Sequence, residues 1–345
     1  MISINPRLEN YIFTTLGAIY DTNYDETKAN LENDAYQNRK YLGTYFPRTF
    51  VEAYRIYYNL FAQQIVWQTF DQKDEIKIIA IGSGTGGDIF GLLNVLNHYF
   101  TNKTFTIYSI DGNANALQLQ THLIEHIQSF IPLDSQHNKL VSNLYKITFN
   151  NPKVIAQSLK NLHLGSTVDI MHTFKFCNEI YNFLDGTDIF SQIISLAETH
   201  LTQNGLLVLE DVTTKNYDCQ YNAVTLNNQI NNYMKAKKDT MLRYILPKPC
   251  ARWNEDCQST SCFSSVQYSV QHRGNPNDIS AVTYKVVAKP PLGDSLIQTF
   301  ANEPGVYKMR DIADGHYCLG GQHYQNVDDA SNSNINLVRT DPFIL

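Results

Sequence analysis

What the chain does not have narrows its function first. No apolar run approaches the roughly 18 residues of a membrane span, so no membrane partner is expected. The opening MISINPRLENYIF has neither the positive n-region nor the apolar core of a secretory signal. Cysteine is sparse, six in 345 residues, and without an export signal those thiols are expected in a reducing compartment, the cytoplasm. A basic excess is missing too. The 27 Lys and Arg stand against 33 Asp and Glu, a net charge of −6. The global positive field that dominates nucleic-acid binding is therefore absent, although a local basic face is not excluded. There is no internal repeat, which sets solenoids aside. What remains is an ordinary globular composition, 43% hydrophobic and 17% charged. The length suffices for a sizeable core in one large domain or two smaller ones.

The most informative stretch runs from Ile78 to Asp111. It opens with a buried-strand run, Ile78–Ile81, and continues into the glycines Gly82, Gly84, Gly86 and Gly87. A helix follows, with Ile89, Leu92, Leu93, Leu96 and Tyr99 at the spacing of one helical face. A second strand, Phe105–Ile110, ends on Asp111. This is half of a nucleotide-binding α/β unit. Glycines let the backbone approach a ligand, the helix N-terminus offers free N–H groups, and an acid at the next strand tip can hold ribose hydroxyls. Gly82, Gly84 and Gly87 also satisfy G-x-G-x-x-G, so a dinucleotide enzyme stays open at this point, as does a turn serving only strand–helix packing.

Along the rest of the chain, residues 1–46 read as helical and polar, and Pro47 marks a break before a helix over about Phe50–Trp67. After Asp111 a helix is expected over Ala114–Phe130 and a third strand over Leu144–Phe149. Val168–Phe174 reads as a fourth strand, Ile189–His200 as a helix, and Gly205–Val212 as a buried fifth strand with acids at its tip. Ala223–Ala236 is helical by pattern. Phe263–His272 and Ala281–Ala288 alternate as two strands joined by RGNPND. An antiparallel terminal hairpin departs from the dinucleotide fold, whose sixth strand is parallel. In a doubly wound sheet ligands sit at strand carboxyl ends, which puts His172, Thr173, Phe174 and Lys175 toward the reacting end. A lone histidine on a buried strand is equally a core residue with a satisfied hydrogen bond.

The run GSGTGGD followed by SIDGN, with NGLLVLED later, resembles class I S-adenosylmethionine-dependent methyltransferases. The resemblance implies an α/β, Rossmann-like seven-stranded methyltransferase sheet with an N-terminal helical cap and a C-terminal appendage. The corresponding divisions are 1–70 as cap or lid, 71–289 as the cofactor-binding domain and 290–345 as the appendage. It implies S-adenosylmethionine as cofactor, with Gly82, Ser83, Gly84, Thr85, Gly86 and Asp88 under its methionine part. Asp111 and Gly112 would take the ribose, Asn150 the adenine, and Thr173 and Phe174 the reacting end, with His172 as candidate base. Ala80 stands where that family usually carries an acid. Tyr45 and Arg48, in YLGTYFPRTF, are candidate acceptor-binding residues on a lid.

Three acceptor readings follow: a small molecule, an RNA or ribosomal subunit, or no acceptor at all in a non-catalytic assembly factor. The second draws on a loose similarity to a methyltransferase-like family associated with small ribosomal subunits. That similarity is carried by YLGTYFPRTF, the glycine motif, PKPCARWNEDCQSTSCF and a Tyr-containing final strand. Cys250, Cys257 and Cys262 in that run are candidate ligands for zinc or an iron–sulfur cluster, although their spacing matches no strong zinc pattern.

Overall fold

Parallel strands with β-branched runs set the architecture. The structure, a computed structural model, describes residues 2–23, 33–149, 157, 167–183, 188–216, 218–237, 240–245 and 265–301. They fall into two units, Met1–Phe149 with Tyr268–Ser280, and Asn150–Gln267 with Ala281–Leu345. In the first unit β1 (Glu75–Ile81), β2 (Thr104–Asp111) and β3 (Lys139–Lys146) lie side by side and parallel, with Ile78 opposite Ile107 and Ile107 opposite Ser142. Ile76, Ile78, Ile79, Ala80 and Ile81 are all buried, as a parallel strand covered on both faces requires. The third strand lies earlier than its sequence pattern suggested. Lys139–Lys146 continues the ladder on β2, whereas Leu144–Phe149 would have left Thr104–Tyr108 without a partner on that side.

The two helices that lead directly into β1 are α1 (Ala35–Ala62) and α2 (Gln64–Asp71). Asp34 opens α1 with a reciprocal cap. Its carboxylate accepts from the Gln37 N–H at 2.8 Å while its own N–H donates to the Gln37 side chain at 3.0 Å. The expected break at Pro47 does not occur, and Pro47 is buried inside α1. An interior proline costs about 3 kcal/mol. Here Leu42, Tyr45, Phe46, Phe50, Ala53, Tyr57, Leu60 and Phe61 are buried along the same helix, and that burial outweighs the local penalty. The candidate lid segment YLGTYFPRTF lies within α1.

Helix α3 (Gly87–Tyr99) buries Ile89, Leu92, Leu93 and Leu96, the face its spacing predicted. It meets α1 closely, with Phe46 and Phe90 ring centroids 5.8 Å apart. Helix α4 (Ala114–Glu125) is capped by the Asn113 carboxamide, which accepts from the Ala116 N–H at 3.0 Å. It ends at Glu125, and a separate turn covers Ile127–Phe130, so the single helix expected to Phe130 is interrupted at His126.

In the second unit β4 (Val168–Phe174) and β5 (Leu201–Val212) are parallel. Helices α5 (Cys177–Phe183), α6 (Ile189–His200) and α7 (Asn222–Ala236) complete the crossover and its continuation. Three strands follow: β6 (Arg243–Ile245), β7 (Ser265–His272) and β8 (Asn275–Ala288), then α8 (Leu292–Ala301). Residues 282–288 of β8 run antiparallel to β5, with Val208 opposite Val286. The antiparallel final strand is therefore present. Two short strands, Ile2–Ser3 and β6, go beyond the seven expected. None of the described helices is long and apolar enough to cross a membrane.

The turn between β7 and β8 is tighter than RGNPND suggested, because β8 begins at Asn275. In the first unit this hairpin is tied to α1 by a buried charge cluster. Arg48 donates from Nε to Asp278 Oδ2 at 2.8 Å and from Nη2 to Oδ1 at 3.0 Å, and His272 Nε2 lies 3.2 Å from Oδ2. Burial works to raise the Asp278 carboxyl, but the bonds from His272 and Arg48 prevail and hold it well below the usual carboxylate range. A carboxyl depressed in the folded state contributes stability above its unfolded value and loses it as pH falls. Asp278→Asn is expected to cost about 3 kcal/mol at pH 7, the scale of a broken buried pair. In urea titrations the gap to the wild type should narrow below about pH 4. A gap that persists at low pH would remove the charge interaction from the account.

Candidate functional site

The first unit places the glycine loop between the tips of β1 and β2. The N–H groups of Gly82 and Ser83 donate to the Ile110 carbonyl at 2.8 and 3.2 Å, and Gly86 N–H donates back to Ser83 O at 2.8 Å. Gly82, Gly84 and Gly86 have φ of 71°, 51° and 89°, the left-handed region where a side chain is strained. Gly86 is also the N-cap of α3. The loop is fixed to Asp111, whose Oδ2 accepts from Gly84 N–H at 2.8 Å while Oδ1 accepts from Asn113 N–H at 2.7 Å. Burial pushes the Asp111 carboxyl up to about 6, against these donors and the Gly112 N–H, and the nearby Asp88 carboxylate adds to the rise. Asp88 itself is buried in the first turn of α3, and Ser83 and Thr85 are buried in the loop.

Tyr41, the first residue of the candidate lid segment YLGTYFPRTF, and two residues that sequence reasoning did not single out, Gln120 and Asn38, complete this arrangement. A Cβ on Gly84 would stand 3.2 Å from the Tyr41 ring, so Tyr41 of α1 lies over the loop. Gln120 of α4 donates to Ser109 Oγ at 2.7 Å and accepts from Ser83 Oγ at 3.3 Å. Its Cγ would be 2.9 Å from a Cβ on Gly86. Asn38 of α1 donates to Asn113 Oδ1 at 3.3 Å. Of the latter two, only Asn38 left a usable trace, an amide on the buried face that continues through Leu42 and Tyr45.

In the second unit the carboxyl ends of β4 and β5 hold a different set. His172 and Thr173 are fully buried and Phe174 nearly so, with the His172 ring edge-on to Phe174 at 5.2 Å. Lys175 turns out of the strand at φ 53° and donates its N–H to Glu210 O at 3.1 Å. Asp211 accepts from Asn178 N–H at 2.9 Å and Val212 N–H at 2.8 Å. Its carboxyl is pushed up to about 7 by burial, against those donors and the Lys175 charge. Burial, and after it the Asp211 charge, raises the Cys177 thiol well above its usual value.

Among the remaining expected residues, Tyr45 is buried with its ring centroid 5.0 Å from that of Tyr41. Arg48 directs its guanidinium at Asp278, as described above. Asn150 and the three cysteines, Cys250, Cys257 and Cys262, lie outside the described residues. Among the described residues no cluster of three His, Cys, Asp or Glu is placed to hold a metal.

No family model matches the chain, and no curated protein matches it. Among solved structures the chain is similar to the plantazolicin methyltransferase BpumL in complex with SAH. The identity is 10%, the match covers 82% of this chain and 94% of that one, and the TM-score is 0.40. It is also similar to the fibrillarin/Nop5p complex at 10% identity, over 63% of this chain and 73% of that one, with a TM-score of 0.33.

Proposed function

We propose that the protein binds S-adenosylmethionine and transfers its methyl group to a small-molecule acceptor. The observation that carries this is the left-handed glycine loop whose Gly84 N–H is bound by the buried Asp111 carboxylate. The residues present fit the adenosyl cofactor. Gly84 and Gly86 take the left-handed backbone that the loop needs, and the Asp111 carboxylate, which accepts three backbone N–H groups, has lone-pair capacity left for a ribose hydroxyl. Asp88 gives the loop a second carboxylate, suited to the methionine ammonium at a site where β1 offers only Ala80. The antiparallel pairing of β5 with β8 supports the methyltransferase reading over the dinucleotide one.

The cofactor supplies a methyl already activated on a sulfonium, so the protein's task is to orient it and exclude water. Thr173 and Phe174 are the candidates for its reacting end, with His172 as candidate base where the acceptor must lose a proton. A net charge of −6 favours a small acceptor over RNA. Calorimetry on the full chain tests the cofactor assignment. S-adenosylhomocysteine and S-adenosylmethionine are expected to bind and NAD to give no heat. A response to NAD alone, or to none of the three, overturns it.

A further inference from the structure

A cavity lies in the first unit, away from the glycine loop, with a volume of about 480 Å³. Its wall includes Phe50, Tyr54, Arg55 and Tyr58 of α1 and Asn94 of α3, and none of Gly82–Asp88 or Asp111 lines it. The size is that of a small-molecule pocket.

The chemistry of the wall is one-sided. Phe50, Tyr54 and Tyr58 follow one another at four-residue spacing and stack along α1. The Phe50–Tyr54 centroids are 6.5 Å apart and the Tyr54–Tyr58 centroids 5.8 Å apart. With a neighbouring ring one turn to either side, Tyr54 offers the cavity its edge and hydroxyl more than its faces. Ring edges carry the positive end of the aromatic quadrupole, and a phenol donates a proton. Arg55 adds a permanent cation and Asn94 an amide. No residue of the wall is acidic. Burial raises the Tyr54 hydroxyl above its ordinary value, which keeps it a donor at neutral pH.

Nor are these groups engaged elsewhere. Ser3 and Asn5, also on the wall, are spent: Ser3 Oγ donates to Gln271 at 3.0 Å, and Asn5 accepts from Arg7 N–H at 2.8 Å and donates to Phe130 O at 3.1 Å. The side chains of Tyr54, Arg55 and Asn94 make no hydrogen bond or ion pair with another described residue. Arg55 is half-buried, and a guanidinium partly withdrawn from water gains most from an anion.

We propose that this cavity binds a small organic oxyanion, a phosphate ester or carboxylate on a flat apolar body. Arg55 and Asn94 hold the oxyanion, and the edges of Phe50, Tyr54 and Tyr58 flank the body. The site is separate from the cofactor loop and does not depend on methyl transfer.

Calorimetric titration of the full chain with phenyl phosphate, benzoate, inorganic phosphate and benzylamine tests it, in the wild type and in Arg55→Gln and Asn94→Asp. At least one aromatic anion is expected to bind at least tenfold tighter than benzylamine and than inorganic phosphate. The tighter of phenyl phosphate and benzoate identifies the head group. Arg55→Gln should weaken that binding at least tenfold. Asn94→Asp, which sets a carboxylate in the wall, should do the same, and it decides the matter if the arginine variant does not fold. Absence of binding by both aromatic anions overturns the proposal, as does equal binding of benzylamine or of inorganic phosphate. Affinity unchanged in a folded variant does so too.

Discussion

A single methyl placed at Gly91 is expected to destabilise the protein by about 3 kcal/mol, the upper range for overpacking a well-filled interface. Helix propensity alone predicts the opposite sign, because alanine is favoured over glycine by about 1 kcal/mol inside a helix. Geometry decides between them. A Cβ at Gly91 would stand 2.4 Å from the Phe50 carbonyl oxygen and 2.9 Å from both the Tyr54 nitrogen and the Ala53 Cβ. Two of these three are backbone atoms of α1, which no rotamer change can move aside. One turn earlier, a Cβ at Gly87 would lie 2.8 Å from the Phe46 carbonyl oxygen. The pair at four-residue spacing is what lets α3 lie against α1. Separating the helices would also loosen Phe46 from Phe90, so lost packing adds to the clash. Urea unfolding of Gly91→Ala should show a lowered midpoint with an unchanged slope. A variant as stable as the wild type would mean that the helices do not approach this closely.

The parts of the fold that could be read in the sequence are those whose signal is local. Ile78–Ile81, the glycines, the α3 face and Asp111 each declare themselves within a few residues, and so does the buried run of β5. Where the reading failed, a local signal competed with a distant one. Pro47 is a break signal on its own terms, and only the packing of its neighbours keeps α1 continuous. The sequence KLVSNLYK of β3 is polar and weakly alternating, so the later YKITF drew the strand boundary. Only the register against β2 restores it. Pro276 made RGNPND look like a loop, although β8 has already begun at Asn275.

The site divides in the same way. Its glycines and its acid were legible, whereas Asn38 reaches Asn113 across 75 residues of sequence, and Tyr41 lies over Gly84 by the placement of a helix. Asp211 could be seen as an acid at a strand tip. Its clamp, the Asn178 N–H, could not.

Affinity for S-adenosylhomocysteine is expected to strengthen as pH rises from 5 to 7, with a midpoint near the Asp111 value of about 6. A buried carboxyl raised in this way binds its proton more tightly in the folded than in the unfolded chain, where the value is near 4. The folded state then holds the extra proton between about pH 4 and 6, and stability falls as pH rises across that window. The cost of the ionised group at pH 7 is on the order of 3 kcal/mol. Ribose hydroxyls donate, so they favour the ionised form, and ligand binding draws Asp111 toward ionisation. Near pH 5 part of the binding energy goes into removing that proton, which should weaken affinity roughly tenfold relative to the plateau above pH 7. No group on S-adenosylhomocysteine titrates in this range, so the profile reports on the protein. Asp111→Asn should flatten it and lower affinity at pH 7 by about 1.5–3 kcal/mol, the scale of hydrogen bonds to a charged group. Stability should change less, because relief of the buried charge offsets the loss of an acceptor for one backbone N–H. A flat wild-type profile, or full affinity in the asparagine variant, would take Asp111 out of the binding site. Asp88→Asn sharpens the test. Removing that neighbouring negative charge should move the midpoint of the wild-type profile downward, and a midpoint that stays in place would mean that the two carboxylates do not sense each other.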